Sequence, residues 1–175
     1  MRLRSRFKKL LATAFLLVFV SPLSAEAFLY RAASKRATQS ILSKGIDPAK
    51  FRGGARFGKG FYAAGRPSTA VAEKGKRSSV VRYREGRYLK KNTWDLRRPD
   101  TKRFQSLLGK KVDLRGAFKK GVIGPKLGRR LGRIAGREGK VIQYRSARTG
   151  GSNFFIPKRL FKEKPNIVQT DKPVR

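Results

Sequence analysis

FLYRAASKRATQSILSKG (residues 28–45), GGARFGKGFYAAGRPSTAVAEKG (53–75) and SVVRYR (79–84) decide the fold. Phe28 to Ala33 alternates with the period of two that marks a strand. Ser34 is a helix-capping residue placed before an apolar face at Ala37, Ile41 and Leu42, and Gly45 ends that helix. Gly53 to Gly60 is a glycine-dense turn that delivers Phe61-Tyr62-Ala63-Ala64 as a second strand. Pro67 and Ser68 open a second helix, Thr69 to Lys74, which Gly75 stops. Ser79 to Arg84 alternates again. Strands joined through short helices predict a mixed α+β domain.

Toward the C-terminus, residues 85–140 carry a weaker pattern. Trp94, Leu96, Phe104, Leu107 and Leu108 are read as one amphipathic helix with an entry loop. Residues 110–140 hold eleven basic and two acidic residues and repeated glycines. Leu127, Leu131 and Ile134 have helical spacing, yet Gly128, Gly132 and Gly136 each cost a free helix about 1 kcal/mol. A basic, glycine-rich insertion that orders only against an anion or a partner is the expectation. Beyond it, Val141 to Ser146 and Asn153 to Ile156 flank a Thr149-Gly150-Gly151 turn and predict a hairpin. Ile167 and Val168 add an edge strand, and 169–175 reads as a frayed tail.

Toward the N-terminus, MRLRSRFKK precedes an apolar run from Leu10 to Val20 and then SPLSAEA. A basic start, a short apolar stretch and a small-x-small site at Ala25-Glu26-Ala27 are the parts of a secretory signal cleaved after Ala27. The sequence therefore predicts a signal peptide at 1–27, one domain at 28–168, and a secreted or periplasmic protein.

Composition narrows the chemistry. The 175 residues include 45 Lys and Arg, 10 Asp and Glu, no His and no Cys, for a formal charge of +35. That excludes Cys/His zinc sites, Ser-His-Asp triads, thiol nucleophiles and disulfides. Neither a GxxxxGK[ST] loop nor carboxylates at metal-ligand spacing occur, so no metal is expected. Such an excess of cations makes polyanions the default partners, because each phosphate contact releases a counterion.

Within the structured stretches, an arginine in an apolar strand (Arg31), an arginine in a glycine-rich turn (Arg56), and one of few carboxylates (Glu73, eleven positions after Tyr62) fall in order. LYRAAS, GGARFGKGFYAAGRPSTAVAE and VIQYRSARTGGSNFFIP together resemble the RES domain, a family of NAD-degrading toxins related in fold to the ADP-ribosyltransferases. The likeness covers residues 29–73 and 141–156. The turn has Ala55-Arg56-Phe57 where the family has Gly-Arg-Trp. The resemblance implies an α+β fold with a split, twisted, antiparallel-rich sheet and short helices, NAD as substrate, Arg31 and Arg56 on its diphosphate, Tyr62 against nicotinamide, and Glu73 and Ser146 as the catalytic pair. It also implies a toxin matched by an acidic antitoxin or immunity protein.

Two other classes compete. One is a basic exported ribonuclease built on Glu73 or Glu85 with Arg56, Arg82 and Tyr83. The other is a non-enzymatic binder of nucleic acid or anionic membrane acting through residues 110–140.

Overall fold

The computed structural model describes residues 28–51, 53, 55–75, 77–109, 123–164 and 166–174. The expected signal at 1–27 and the start of the basic segment, 110–122, lie outside them. The elements are β1 (Phe28–Ala33), α1 (Lys35–Lys44), β2 (Gly60–Ala64), α2 (Pro67–Lys74), β3 (Ser79–Glu85), α3 (Arg87–Lys91), β4 (Thr93–Asp95), α4 (Thr101–Leu108), α5 (Pro125–Arg137), β5 (Val141–Arg145), β6 (Ser152–Pro157), α6 (Lys158–Glu163) and β7 (Val168–Val174). A single 3-10 turn, Pro48–Lys50, follows α1.

The domain is α+β. Among the described residues, seven strands form one sheet in the order β4-β5-β6-β2-β1-β3-β7, with every neighbouring pair antiparallel except the parallel β4–β5 pair. Residues on successive positions of each strand point to opposite faces, so the sheet separates two apolar cores. Leu29, Phe61, Val81, Tyr83 and Ile156 fill one, which Leu160 and Phe161 of α6 and the partly buried Ile41 of α1 close. Phe57, Trp94, Ile142 and Phe155 fill the other, closed by Phe104 and Leu108 of α4 and by Leu131 and Ile134 of α5.

One seam in this sheet positions the site. β1 and β3 share six register pairs and β2 and β6 share five, but β1 and β2 share the single pair Tyr30↔Ala64. The sheet is continuous, yet β4-β5-β6-β2 and β1-β3-β7 part company along most of that joint. A gap between splayed strands leaves room for a cavity inside a sheet that would otherwise be closed.

The local signals read in the first stretch act as expected. Ser34 Oγ accepts the Ala37 N–H at 3.3 Å, and Gly45 (φ 76°) closes α1 in a conformation that favours glycine. The inward row of α1 differs from the expected one. Because the helix rests on β3 and β7, Thr38 is buried and Ile41 partly so, while Ala37 and Leu42 face outward.

Three further readings are corrected. Residues 87–108 make two helices around a strand rather than one helix. Trp94 lies on β4, whose partner β5 begins almost fifty residues later, so nothing local announces the pairing. The segment 125–137 is a 13-residue helix packed into the core. Its glycines are the reason: a Cβ on Gly128 would stand 2.6 Å from the Arg56 carbonyl oxygen, and one on Gly132 would stand 1.9 Å from that of Phe57. The helix seats directly on the backbone of the 55–58 turn, and burial of Leu131, Ile134 and Ala135 outweighs the propensity cost. Finally, the expected edge strand lies on β3 and runs 168–174, so residues 169–174 are paired rather than frayed. Arg82 Nε and Asp171 Oδ2, 2.9 Å apart, join the two strands.

Candidate active site at the sheet seam

Glu73 stands in the last turn of α2, which packs chiefly on β1. Its Oε1 accepts two hydrogen bonds from elements far away in sequence. Ser146 Oγ donates at 2.6 Å, and Asn153 Nδ2 donates at 3.0 Å. Among the described residues, Oε2 has no partner. The carboxylate is thus held by one oxygen and presents the other from an exposed position.

Ser146 is the first residue after β5 and is 2 % exposed. The turn that follows wraps around its hydroxyl: the N–H groups of Arg148 and Thr149 both donate to Ser146 Oγ at 3.2 Å. With two N–H donors on the oxygen and its own proton on Glu73, the hydroxyl has no lone pair left for attack. Ser146 is therefore a positioning residue rather than a nucleophile. The same turn is tied to α2 by Arg148 Nη1 on the Ala72 carbonyl at 2.7 Å and by Thr149 Oγ1 on Thr69 Oγ1 at 3.1 Å. Helix and turn are one unit, so the carboxylate and its donors move together.

Beside this cluster, where β1 and β2 separate, lies a cavity of about 220 Å³. Tyr30, Tyr62 and Tyr144 line it with small residues from β2 and α2, and Glu73, Lys74 and Asn153 complete it. Ala63, Ala64 and Ala70 are the small residues that keep it open. Tyr62 shows the cavity its ring rather than its hydroxyl, which accepts from the Phe57 N–H at 2.9 Å and donates to the Gly58 carbonyl at 3.0 Å. Desolvation pushes the Tyr62 phenol up to about 12 and raises that of Tyr144 still further, so both are neutral at physiological pH. A larger concavity lies on the α5 side, but no carboxylate is among its described lining residues.

Of the residues read from the sequence, Tyr62, Glu73 and Ser146 converge here. Arg56 stands next door: its guanidinium carbon is 5.7 Å from the Tyr144 ring centre, and its charge counteracts the upward shift of both Tyr62 and Tyr144. Arg31 borders the cavity through its place on β1, but its guanidinium lies elsewhere. It sits 5.0 Å from the Phe61 ring centre, on the face shared by Leu29, Val81 and Tyr83. The alternation of β1 sets this, since Leu29, Arg31 and Ala33 share one side. Burial lowers its pKa, opposed by the Tyr83 hydroxyl nearby.

The alternative nuclease set does not assemble. Tyr83 is wholly buried against Phe61, 5.0 Å between ring centres, and Arg82 is engaged by Asp171. Glu85 sits half-buried at the far end of β3, its pKa raised by desolvation.

Asn153, Tyr30 and Tyr144 were missed as site residues. Asn153 carried a signal: alternation along β6 puts it on the same side as Phe155, where an amide 5 % exposed needs a partner. Tyr30 and Tyr144 carried none beyond being aromatic residues on strands. Comparison with known proteins finds no matching family model and no matching curated protein.

Proposed function

We propose that the seam cavity binds the nicotinamide-ribose half of NAD and that the protein cleaves the bond between them. The observation that carries this reading is the Glu73 carboxylate, fixed through one oxygen by Ser146 and Asn153 with its second oxygen free beside an aromatic cavity. A volume near 220 Å³ suits one ring and part of a ribose, with the diphosphate and adenosine left outside. Tyr62 and Tyr144 supply apolar faces for the ring. Arg31 points to the other side of the sheet, so the diphosphate is assigned to Lys74, which lines the cavity, and to Arg56, which stands against the Tyr144 ring.

Cleavage sends the electron pair of the glycosidic bond to the nicotinamide nitrogen, which leaves as the neutral base. Positive charge develops on the ribose as an oxocarbenium ion. Glu73 Oε2 accepts a hydrogen bond from a ribose hydroxyl and lies near the developing charge, where a preoriented carboxylate stabilises the transition state. Ser146 and Asn153 remove the carboxylate's freedom to rotate away. Water, phosphate or a side chain then attacks the cation, and the proton of the attacking group passes to solvent.

Support for an ADP-ribosyltransferase-like fold comes from the order of elements: the arginine on β1, the tyrosine on β2, the glutamate on the following helix and the serine at the end of β5. With residues 1–27 as an export signal, the reading is an exported, NAD-consuming toxin. Its test is nicotinamide release from NAD by the purified protein. Glu73→Gln should reduce the rate by about a hundredfold or more without changing the melting temperature. Ser146→Ala should lower kcat about tenfold while KM stays within about twofold, since it acts through Glu73. Nicotinamide release that survives Glu73→Gln, or no release by the wild type, would sink the proposal.

A further inference from the structure

A groove of about 980 Å³ lies between α5, the 57–59 turn and the start of α6. Lys126, Arg129, Arg130, Arg133 and Arg137 line it from α5. Across from them stand Lys59, Lys158 and Arg159. Three parts of the chain far apart in sequence thus bring their cations to one depression. Arg159 is paired with Glu163; among the described residues, none of the other seven lies in an ion pair. Such a gathering costs self-repulsion unless an anion lies between the walls.

We propose that this groove binds the phosphodiester backbone of a nucleic acid without reading its bases. Arg129, Arg133 and Arg137 are four residues apart, so they rise along one face of α5 at intervals of ~6 Å. Successive phosphates of a strand laid along the helix meet successive guanidinium groups. The glycines that seat α5 on the 55–58 turn fix this row on a rigid element rather than on a loop.

An anionic membrane is a poorer fit, because an interfacial helix must offer apolar side chains to the lipid. Leu131, Ile134 and Ala135 of α5 are buried, and the exposed large apolar residue among the described ones, Leu42, belongs to α1. An acidic protein is also a poorer fit, since such interfaces centre on apolar anchors, whereas Phe57, Ile134 and Pro157 on the groove's wall are buried and Leu107 is half-buried. Phosphates need only the cations.

The proposal is independent of NAD cleavage. Its test is fluorescence anisotropy of a short single-stranded RNA over a salt series. The variant Arg129→Gln/Arg133→Gln/Arg137→Gln keeps exposed helical positions helical, and circular dichroism checks its fold. It should bind at least about tenfold more weakly, and its plot of log affinity against log salt should flatten by about 2. Lys35→Gln/Arg36→Gln/Lys44→Gln, on exposed positions of α1, removes the same charge and should change both quantities far less. Glu73→Gln should bind RNA as the wild type does, so this result and the fate of the NAD reading are separable. Equal losses in the two triple variants would mean that total charge, not the groove, holds the RNA, and would overturn the proposal. It is overturned as well if the wild type does not bind RNA, or if the groove variant loses only its binding to vesicles of mixed phosphatidylglycerol and phosphatidylcholine.

Discussion

Two tyrosines report how differently the faces of this sheet treat a phenol. The Tyr62 hydroxyl is engaged by the backbone of the 57–58 turn, while the Tyr83 hydroxyl is buried with no hydrogen-bond partner among the described residues. Desolvation raises both to about 12, Tyr83 with a small opposing effect from Arg31. The sign follows from linkage: below the unfolded value near 10, both states hold the proton and stability does not depend on it. Above that, the unfolded chain ionises first, so stability is lost as pH climbs from about 10 to about 12. Tyr83→Phe isolates it. The variant should be as stable as the wild type at neutral pH or slightly more so, because an unpaired buried hydroxyl is removed. Its denaturation midpoint should then fall less steeply above about pH 10. Parallel alkaline slopes for the two proteins would show that Tyr83 keeps an ordinary phenol pKa.

At the scale of elements, the glycines of α5 divide into those the fold requires and one it does not. A methyl on Gly132 would overlap the Phe57 carbonyl, a backbone atom that cannot move without shifting the turn. Gly132→Ala should therefore destabilise by about 2 kcal/mol or more, measured by urea unfolding. Gly136 meets nothing closer than Pro157 Cβ at 3.5 Å, an ordinary contact. Gly136→Ala should stabilise by about 0.5–1 kcal/mol through helix propensity alone. If both substitutions cost the same, α5 does not sit on the turn through Gly132. The same glycines explain what the sequence showed and what it hid. β1 through β3 were legible because each boundary is written locally, in Ser34, Gly45, Pro67 and Gly75. The α5 glycines look like helix breakers in isolation, and only the presence of the 55–58 backbone turns them into a packing face. β4 and the extent of β7 beyond Val168 were hidden for a related reason: their partners β5 and β3 lie far along the chain, and neither stretch is apolar enough to declare itself. In the site, Tyr62, Glu73 and Ser146 could be found by order. The side of the sheet taken by Arg31 followed from its alternation with Leu29 but required knowing which face holds the cavity.

For the whole molecule, the deciding quantity is the ratio of charges. Ten carboxylates facing 45 cations can neutralise at most a minority of them. Of the described ion pairs, Lys50–Asp47 and Arg159–Glu163 are solvent-exposed, Arg97–Asp95 is partly so, and Arg82–Asp171 meets through buried atoms. Exposed pairs contribute about 0–1 kcal/mol each, and salt weakens them. Salt also screens the repulsion among the remaining cations, whose separations across a domain of this size extend beyond the Debye length of roughly 10 Å at 0.1 M. The two effects have opposite signs, and the count decides between them: a few weak attractions are lost while repulsion among dozens of like charges is relieved. The melting temperature should therefore rise by several degrees between low salt and about 0.5 M sodium chloride. The groove variant Arg129→Gln/Arg133→Gln/Arg137→Gln should show a smaller rise, because it begins with less repulsion where the cations are densest. A melting temperature that falls with salt would mean that the ion pairs outweigh the repulsion, and that the crowding of cations around α5 is not a strain that a bound polyanion relieves.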